Sequence, residues 1–459
     1  MSASRSSTLR LWLRWSWRDL RRRWLLVAAI AVIIAIGTGT FAGLGSTATW
    51  RRLSNDASYA ALRMHDLRVE LSEGSYVAEG RLREVVASLP SAEVVVGVEE
   101  RLFVDTQVDA SQGDDTVLVP GELIGVALDR DLEVDALHVA EGGAPGVATG
   151  AAVLEQKFAA HYDLPTAGTI VVGGGHELAY TGVGVSPELF LVTDQAAGVF
   201  GQSNFAAVFV TLADAQRLGG HDGQVNDLVL RLAPGTDRDR IQAELEAALV
   251  GALPDVGATV TTRDDDQAYR VLYDDIDNDQ QLWNLFAIVI LLAASFAAFN
   301  LISRIVDAER REIGVGMALG ARPRRLAVRP MLVGAQVAAL GVVLGVGIGL
   351  LLGAAMRSLL IEFLPLPEWR TPFQLGVYVR AAALGLALPV VATAIPVWRA
   401  VRVEPVDAIR TGPHSARAQR SGLAPLLARL PLGRRTLVQM PFRETLRAPR
   451  RTLLTVLGI

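Results

Sequence analysis

Three stretches of this chain carry no charged residue for more than twenty positions: 27 residues at 24–50, 22 at 282–303 and 26 at 331–356. A fourth apolar run, 375–398, carries only Arg380, near one end where its head group can snorkel to water, and Pro389, where a kink is expected. About 20 predominantly apolar residues suffice for a helix to cross the hydrocarbon core of a bilayer. In that core every backbone group must be satisfied within the segment, so such runs dictate helices. Four helical spans are expected, at 24–47, 281–304, 330–358 and 375–398. The first run exceeds the apolar core of a signal peptide and is read as an uncleaved span ending near Gly45. Residues 1–23, rich in Arg and carrying Trp12, Trp15 and Trp17, suit an amphipathic basic helix in the headgroup region.

The net charge of −4 conceals an asymmetry. Residues 51–280 hold 15 basic and 39 acidic side chains, and the rest of the chain holds 29 basic and 9 acidic. Arginine clusters at 1–23, 304–329 and 399–451 belong on the cytosolic face of the cell membrane by the positive-inside rule, so the acidic block lies outside. That block, 48–280, reads as an α+β extracytoplasmic domain inserted between spans 1 and 2. Strand-like runs fall at 66–71, 93–98, 116–119, 169–172, 205–210 and 227–232, and helical patterns at 78–89, 151–162, 212–218 and 236–250. Asp275, Asp277 and Asp279 match the first ligand positions of a calcium loop. Gln280 then stands where glycine is required and Phe286 where glutamate is required, so 264–279 is read as an acidic helix continuing span 2 outward.

Several chemistries are absent from the pattern. There is no cysteine, and the one lysine, Lys157, lies between Gln156 and Phe158 rather than in a phosphate-binding loop. His176-Glu177 opens a zinc-protease motif that fails at Tyr180; Gly184-Val185-Ser186 opens a nucleophile elbow that fails at Glu188. Gly173–Gly175 reads as a hairpin turn. The six histidines show no metal-ligand spacing. No catalytic residue, metal site, resident cofactor or nucleic-acid partner is therefore expected. Spans 2 and 3 contain no charged residue that could relay protons or ions, which disfavours a secondary transporter. In span 3, Gly341, Gly345, Gly349 and Gly353 recur every fourth residue and form a ridge on which a second helix backbone can lie close.

Residues 305–329 join spans 2 and 3. Ile305, Ala308, Ile313 and Met317 recur at helical spacing among charged residues, and Gly320 followed by Pro323 is a stop signal. A helix at the membrane surface, docking a cytosolic partner, is expected over this segment. After an outer loop at 359–374 and span 4, a cytosolic linker covers 399–441. Residues 442–459 repeat the layout of 17–34, so the chain reads as the first half of a longer one, ending at the start of a second repeat.

ERREIGVGMALGARPRRL at 309–326 and IPVWRAVRVEPVDAIR at 395–410 resemble the cytosolic motifs of FtsX-like, MacB-type ABC transporter permeases. VLEQKFAAHYDLPTAGTIVV at 153–172 is similar to a phrase of that family's periplasmic core domain. The resemblance implies that Glu309, Arg310, Arg311, Glu312, Ile313, Gly314, Met317, Leu319 and Gly320 couple the chain to ABC ATPase subunits, which hold the ATP and Mg. The chain itself would not be an enzyme. The resemblance further implies membrane lipids, a second permease half in cis or a second permease unit, and an extracytoplasmic protein as partners. It implies export or extraction of lipids, lipoproteins, peptides or drugs by mechanotransmission, or mechanical regulation of a cell-wall hydrolase without transport. The chain departs from single-unit members in its double-length layout. Gly314 and Gly316 weaken the coupling helix by about 1 kcal/mol each, so it is expected to stiffen on binding.

Overall fold

The computed structural model describes residues 16–18, 20–112, 116–143, 151–191, 204–400 and 402. The N-terminal basic helix and the second repeat at 442–459 fall wholly or largely outside those residues, as does most of the 399–441 linker.

In chain order the helices are α1 Trp24–Gly43, α2 Thr47–Ala61, α3 Arg81–Ala87, α4 Gln156–His161, α5 Leu212–Gly219, α6 Arg238–Ala252, α7 Gln267–Ala318, α8 Pro323–Phe363 and α9 Leu375–Ala400. The strands are β1 Leu67–Leu71, β2 Val77–Ala78, β3 Val95–Asp109, β4 Leu118–Val126, β5 His138–Gly142 and β6 Ala151–Glu155. They continue with β7 Gly168–Val172, β8 His176–Val185, β9 Ala206–Thr211, β10 Gln224–Val225, β11 Asp227–Leu232 and β12 Ala258–Thr262. The chain divides into two compact units. A helical unit takes Met1–Ala48, Asp279–Arg357 and Phe373–Ile459; an α+β unit takes Thr49–Asn278 and Ser358–Pro372.

Among the described residues, four helices are long and apolar enough to cross a membrane. Their contacts depend on missing side chains. A methyl group at Gly341 would lie 2.6 Å from Ile34 Cβ, one at Gly345 2.8 Å from Thr38 Cβ, and one at Gly349 3.1 Å from Ala42 Cβ. The glycine row of α8 therefore lies on α1, and Gly353, where an added methyl group would lie 3.8 Å from the Gly43 carbonyl oxygen, is its loosest member. On the α1 side, Gly39 faces Ile348 and Gly43 faces the Gly349 carbonyl, so two rows spaced by four residues interlock. Leu301, Ile302, Ile305 and Ile313 of α7 join Ile30 and Ile34 of α1, Val333 and Val337 of α8 and Val397 of α9 in one apolar core.

The α+β unit is built on a ten-stranded mixed sheet in the order β12-β1-β11-β3-β4-β9-β6-β8-β5, with β7 pairing β3 and β8 beside that path. Pairing is antiparallel except for β4 with β9 and β6 with β8. Along β1, Leu67, Val69 and Leu71 point into a core closed by α3 and α6, and Arg68 points to the other face. A second core gathers Leu102, Leu123, Leu154, Phe158 and Val208. Thr211 caps α5 by accepting from the Asp214 amide at 3.1 Å, and Glu155 caps α4 by accepting from Lys157 and Phe158.

The helical pattern at 151–162 divides: Ala151–Glu155 is strand β6, and only Gln156–His161 is helix. β6 is inserted between β8 and β9 and buried, and a short apolar run of that kind carries no periodicity to distinguish strand from helix. Of the strand-like run at 93–98, residues 93 and 94 close a 3-10 turn, and Val95 begins a fifteen-residue strand. Gly173–Gly175 does form the turn between antiparallel β7 and β8, with Gly174 and Gly175 at positive φ. Part of the outer loop belongs to the α+β unit. The Arg370 amide donates to Ser54 Oγ at 3.0 Å and the Glu368 amide to Ser58 Oγ at 3.2 Å, with Trp369 against Trp50 and Leu364 and Leu366 in the core around Tyr59.

Candidate coupling site and a buried charge cluster

The segment expected as a separate surface helix over 305–329 is built otherwise. Residues 305–318 are the end of α7, a 52-residue helix, and 323–329 are the first turns of α8. No helix breaker separates span 2 from Ala318, and Ile305, Val306 and Ile313 continue the buried stripe of the span, so the helix runs on. It ends where the stop signal stands. Gly320 adopts φ +84°, its amide donates to the Met317 carbonyl at 3.0 Å, and the Ala321 amide donates to the Gly316 carbonyl at 3.0 Å. This pair of bonds is the Schellman closure, and a left-handed residue at that position favours glycine. Pro323 then opens α8, where its missing N–H costs nothing.

The expected coupling residues divide into two sets at this helical hairpin. Ile313 is buried, Gly314 is buried beside it, and Met317 and Leu326 pack on the same apolar core. A methyl group on Gly316 would meet Leu326 at 3.1 Å, so the small residue lets α8 approach. Glu309 pairs with Arg329 across the hairpin at 3.3 Å. Arg310 and Arg311 lie in α7. Glu312 has a side chain 75% exposed, Leu319 is 83% exposed, and Val315 and Gly320 are also exposed. Leu319 and Val315 thus stand open to solvent on a turn held by a fixed cap.

A second arrangement, in the α+β unit, has no signal in residue spacing. Asp227 of β11 stands opposite Arg101 of β3 in the sheet register, and Arg101 Nε donates to it at 2.7 Å. Arg68 of β1, diagonal to Asp227, donates to its other oxygen at 2.6 Å. Arg101 also donates to Glu188 at 2.6 Å and to Asp135 at 3.3 Å, and His65 Nδ1 lies 2.9 Å from Asp135. His65, Arg101, Asp135 and Asp227 are almost wholly inaccessible. His65, Asp135 and Glu188 could each offer a ligand atom to a metal ion, within 4.8 Å of one another. The guanidinium of Arg101 already sits against both of those carboxylates, and it supplies the positive charge that a cation would bring.

The charges of this cluster balance when His65 is protonated: three cations face three carboxylates. Burial lowers the His65 pKa, but the charge and hydrogen bond of Asp135 outweigh it and raise the pKa above the usual histidine value. Burial would raise the Glu188 pKa, and the charges of Arg101 and Arg68 reverse this and hold it well below the usual carboxylate range. The acidic segment read as an outward continuation of span 2 is helical from Gln267 in α7, and Arg51 and Arg52 of α2 pair with its Asp275 and Asp277.

Four membrane-length helices with an α+β domain between the first and the second define a multi-span membrane protein with one large inserted domain. Residues 284–405 match the family FtsX-like permease C-terminal. Over 233 residues the chain is 25% identical to the pyoverdine export ATP-binding/permease protein PvdT of Pseudomonas fluorescens, covering 50% of this chain and 31% of that protein. It is 24% identical over 231 residues to the macrolide export ATP-binding/permease protein MacB of Salmonella typhi, covering 50% and 34%. The chain thus spans about a third of the length of these curated relatives. Among solved structures, the periplasmic region of MacB from Actinobacillus actinomycetemcomitans superposes with a TM-score of 0.32 at 9% identity, over 48% of this chain and 96% of that one. Residues 284–405 thus resemble an FtsX-like permease domain, and the relatives the chain matches are named as export ATP-binding/permease proteins.

Proposed function

We propose that the chain is the membrane-spanning permease part of an ABC transporter, that its ATPase is a separate subunit, and that the ATPase docks on the hairpin between α7 and α8. The observation carrying this reading is the capped Gly320 turn with Glu312, Val315 and Leu319 exposed around it, inside the stretch that matches the permease family. The positive-inside rule puts the hairpin in the cytosol and the α+β unit outside the cell membrane. The relatives are named as ATP-binding/permease proteins, and the only lysine of this sequence is outside any phosphate-binding loop, which supports a nucleotide and Mg held outside these residues. ATP-driven closure of two ATPase subunits moves the hairpin, and α7 carries that movement toward its first residues, where Ala268 and Leu272 belong to the core of the α+β unit. The work delivered there is export, and lipids, lipoproteins, peptides and drugs are the candidate cargo.

The docking role is checked by co-purifying the ATPase with this chain. Leu319→Asp and Glu312→Arg, both at exposed positions, are expected to lower recovery of the ATPase by about tenfold, the effect of losing about 1.4 kcal/mol of binding. Leu319→Asp should leave the melting temperature unchanged, and Glu312→Arg, which gives up only an exposed 3.9 Å pair with Arg329, should shift it little. Full recovery with both variants removes the assignment.

A further inference from the structure

The α+β unit contains a cleft of about 830 Å³ that the transport reading does not use. Arg63, Arg231, Arg238 and Arg263 line it, together with the rings of Tyr59, Tyr269 and Tyr273. The block 51–280 has only 15 basic side chains against 39 acidic ones, so the gathering of four guanidiniums in one cleft runs against the composition of the domain.

Only two carboxylates, Asp56 and Asp66, share the lining, and both are engaged. Asp56 accepts from the Tyr273 hydroxyl at 2.5 Å. Asp66 accepts from the Leu232 amide at 2.8 Å and pairs with Arg238 at 3.3 Å and Arg263 at 3.6 Å. Arg238 also reaches Asp264 at 2.6 Å. Arg63 donates to the Leu132 carbonyl, a neutral acceptor, and Arg231 has no ion-pair partner among the described residues. Against the four guanidiniums stand Asp56, Asp66 and, on Arg238, Asp264, so one positive charge is in surplus, and Arg63 and Arg231 are the two cations without a carboxylate partner among the described residues.

Two buried donors on its walls are also unsatisfied. Tyr59 is 5% exposed, its ring packs on Phe190 and Tyr269 at 5.1 and 5.0 Å, and its hydroxyl has no hydrogen-bond partner; Arg263 Nε has none either. Burial, followed by the charge of Asp266, raises the Tyr59 pKa well above its ordinary value, so the hydroxyl keeps its proton. An orphaned buried donor costs about 1–3 kcal/mol, and native structures ordinarily satisfy it with an acceptor.

We propose that this cleft binds an amphiphilic oxyanion, its phosphate or carboxylate held by the guanidiniums around Arg63 and Arg231 and its flat or apolar part laid on Tyr269 and Tyr273. Guanidinium matches the geometry of both oxyanions with paired hydrogen bonds, and it stacks on aromatic faces. Arg263 already does the latter over Tyr269, 5.8 Å from the ring centre. The volume suits a small ligand rather than a protein segment.

The inference does not depend on ATPase docking, and its test uses the full chain in phosphatidylcholine nanodiscs without any ATPase. Phenyl phosphate, which joins an oxyanion to a flat apolar ring, is titrated calorimetrically. Saturable binding is expected, weakened by about tenfold in Arg231→Glu, kept within about threefold in Arg231→Lys, with equal melting temperatures. Competition by inorganic phosphate from solution identifies a soluble oxyanion as the source; competition on replacing phosphatidylcholine by phosphatidylglycerol identifies a lipid headgroup. Absence of saturable binding, or equal affinity in Arg231→Glu, overturns the proposal.

Discussion

The two units of this chain exclude water by opposite means. In the helical unit, α1 and α8 approach through rows of small residues, where contact depends on what is missing from Gly341, Gly345 and Gly349. In the α+β unit, strands β1, β11 and β3 are joined on one face by Arg68, Arg101, Asp227 and their partners, charges that must all be present together. A membrane helix has no hydrophobic drive toward a neighbouring helix and relies on close packing. A sheet domain in water can afford buried ions only when each is matched. The first device therefore fails by addition of atoms and the second by subtraction of charge.

The largest effect is expected from subtraction. Arg101→Met leaves Asp135, Asp227 and Glu188 without their shared cation, which should cost about 4 kcal/mol and cause the α+β unit to melt first. Near-ultraviolet circular dichroism of the heated protein, which reports aromatic packing around Tyr59, checks this. Gly341→Leu tests addition: the new side chain meets Ile34, and about 3 kcal/mol of helical-unit stability should be lost in mixed-micelle denaturation. If Gly341→Leu lowers the sheet transition and Arg101→Met the helical one, the contrast between the units is wrong.

A smaller effect follows from protonation. The folded-state pKa of His65 is raised, so its contribution to stability is present below the ordinary histidine value near 6.5 and is lost as pH rises through the raised value. Glu188 acts in the other direction: its pKa is depressed, and its contribution, present above the ordinary glutamate value near 4.3, is lost as pH falls. The melting temperature of the α+β unit should therefore decline from pH 6 toward alkaline pH. In His65→Gln that decline should flatten, with about 2 kcal/mol lost at pH 6. The smallest effect is expected of Gly320→Ala, about 1 kcal/mol, since alanine must adopt φ +84° at the turn.

The membrane half was legible in the sequence because its determinants are local. Charge-free runs, the Gly320 and Pro323 stop and the glycine row each lie within a few turns of one helix. What the row could not disclose was its partner, because Ile34, Thr38 and Ala42 are some 300 positions away. The coupling segment was legible as a helix with a stop, but not as the end of α7, because charge in 304–312 reads as a break when the buried stripe of Ile305, Val306 and Ile313 is not visible. In the α+β domain, β1, β7, β9 and β11 show the expected pattern and β8 is the strand implied after the Gly173–Gly175 turn, whereas β6 sits within a helical pattern and β5 and β12 lie unmarked among polar residues. The buried cluster was hidden for another reason. Its members stand at 65, 68, 101, 135, 188 and 227; the pairing of β1, β11 and β3 brings Arg68, Arg101 and Asp227 together, and the segments of His65, Asp135 and Glu188 meet them from outside those strands.

As proposed above, an ATPase docks on the hairpin, and α7, one uninterrupted helix from Gln267 to Ala318, carries its movement away from that hairpin. The chain has no cysteine, so Asp274→Cys, at an exposed position on the first turns of α7, takes a single fluorophore. With the ATPase bound, its emission should shift on addition of ATP. Two glycines inserted after Ser303 should abolish that shift while the ATPase remains bound. A shift of undiminished size in the inserted protein would contradict the claim.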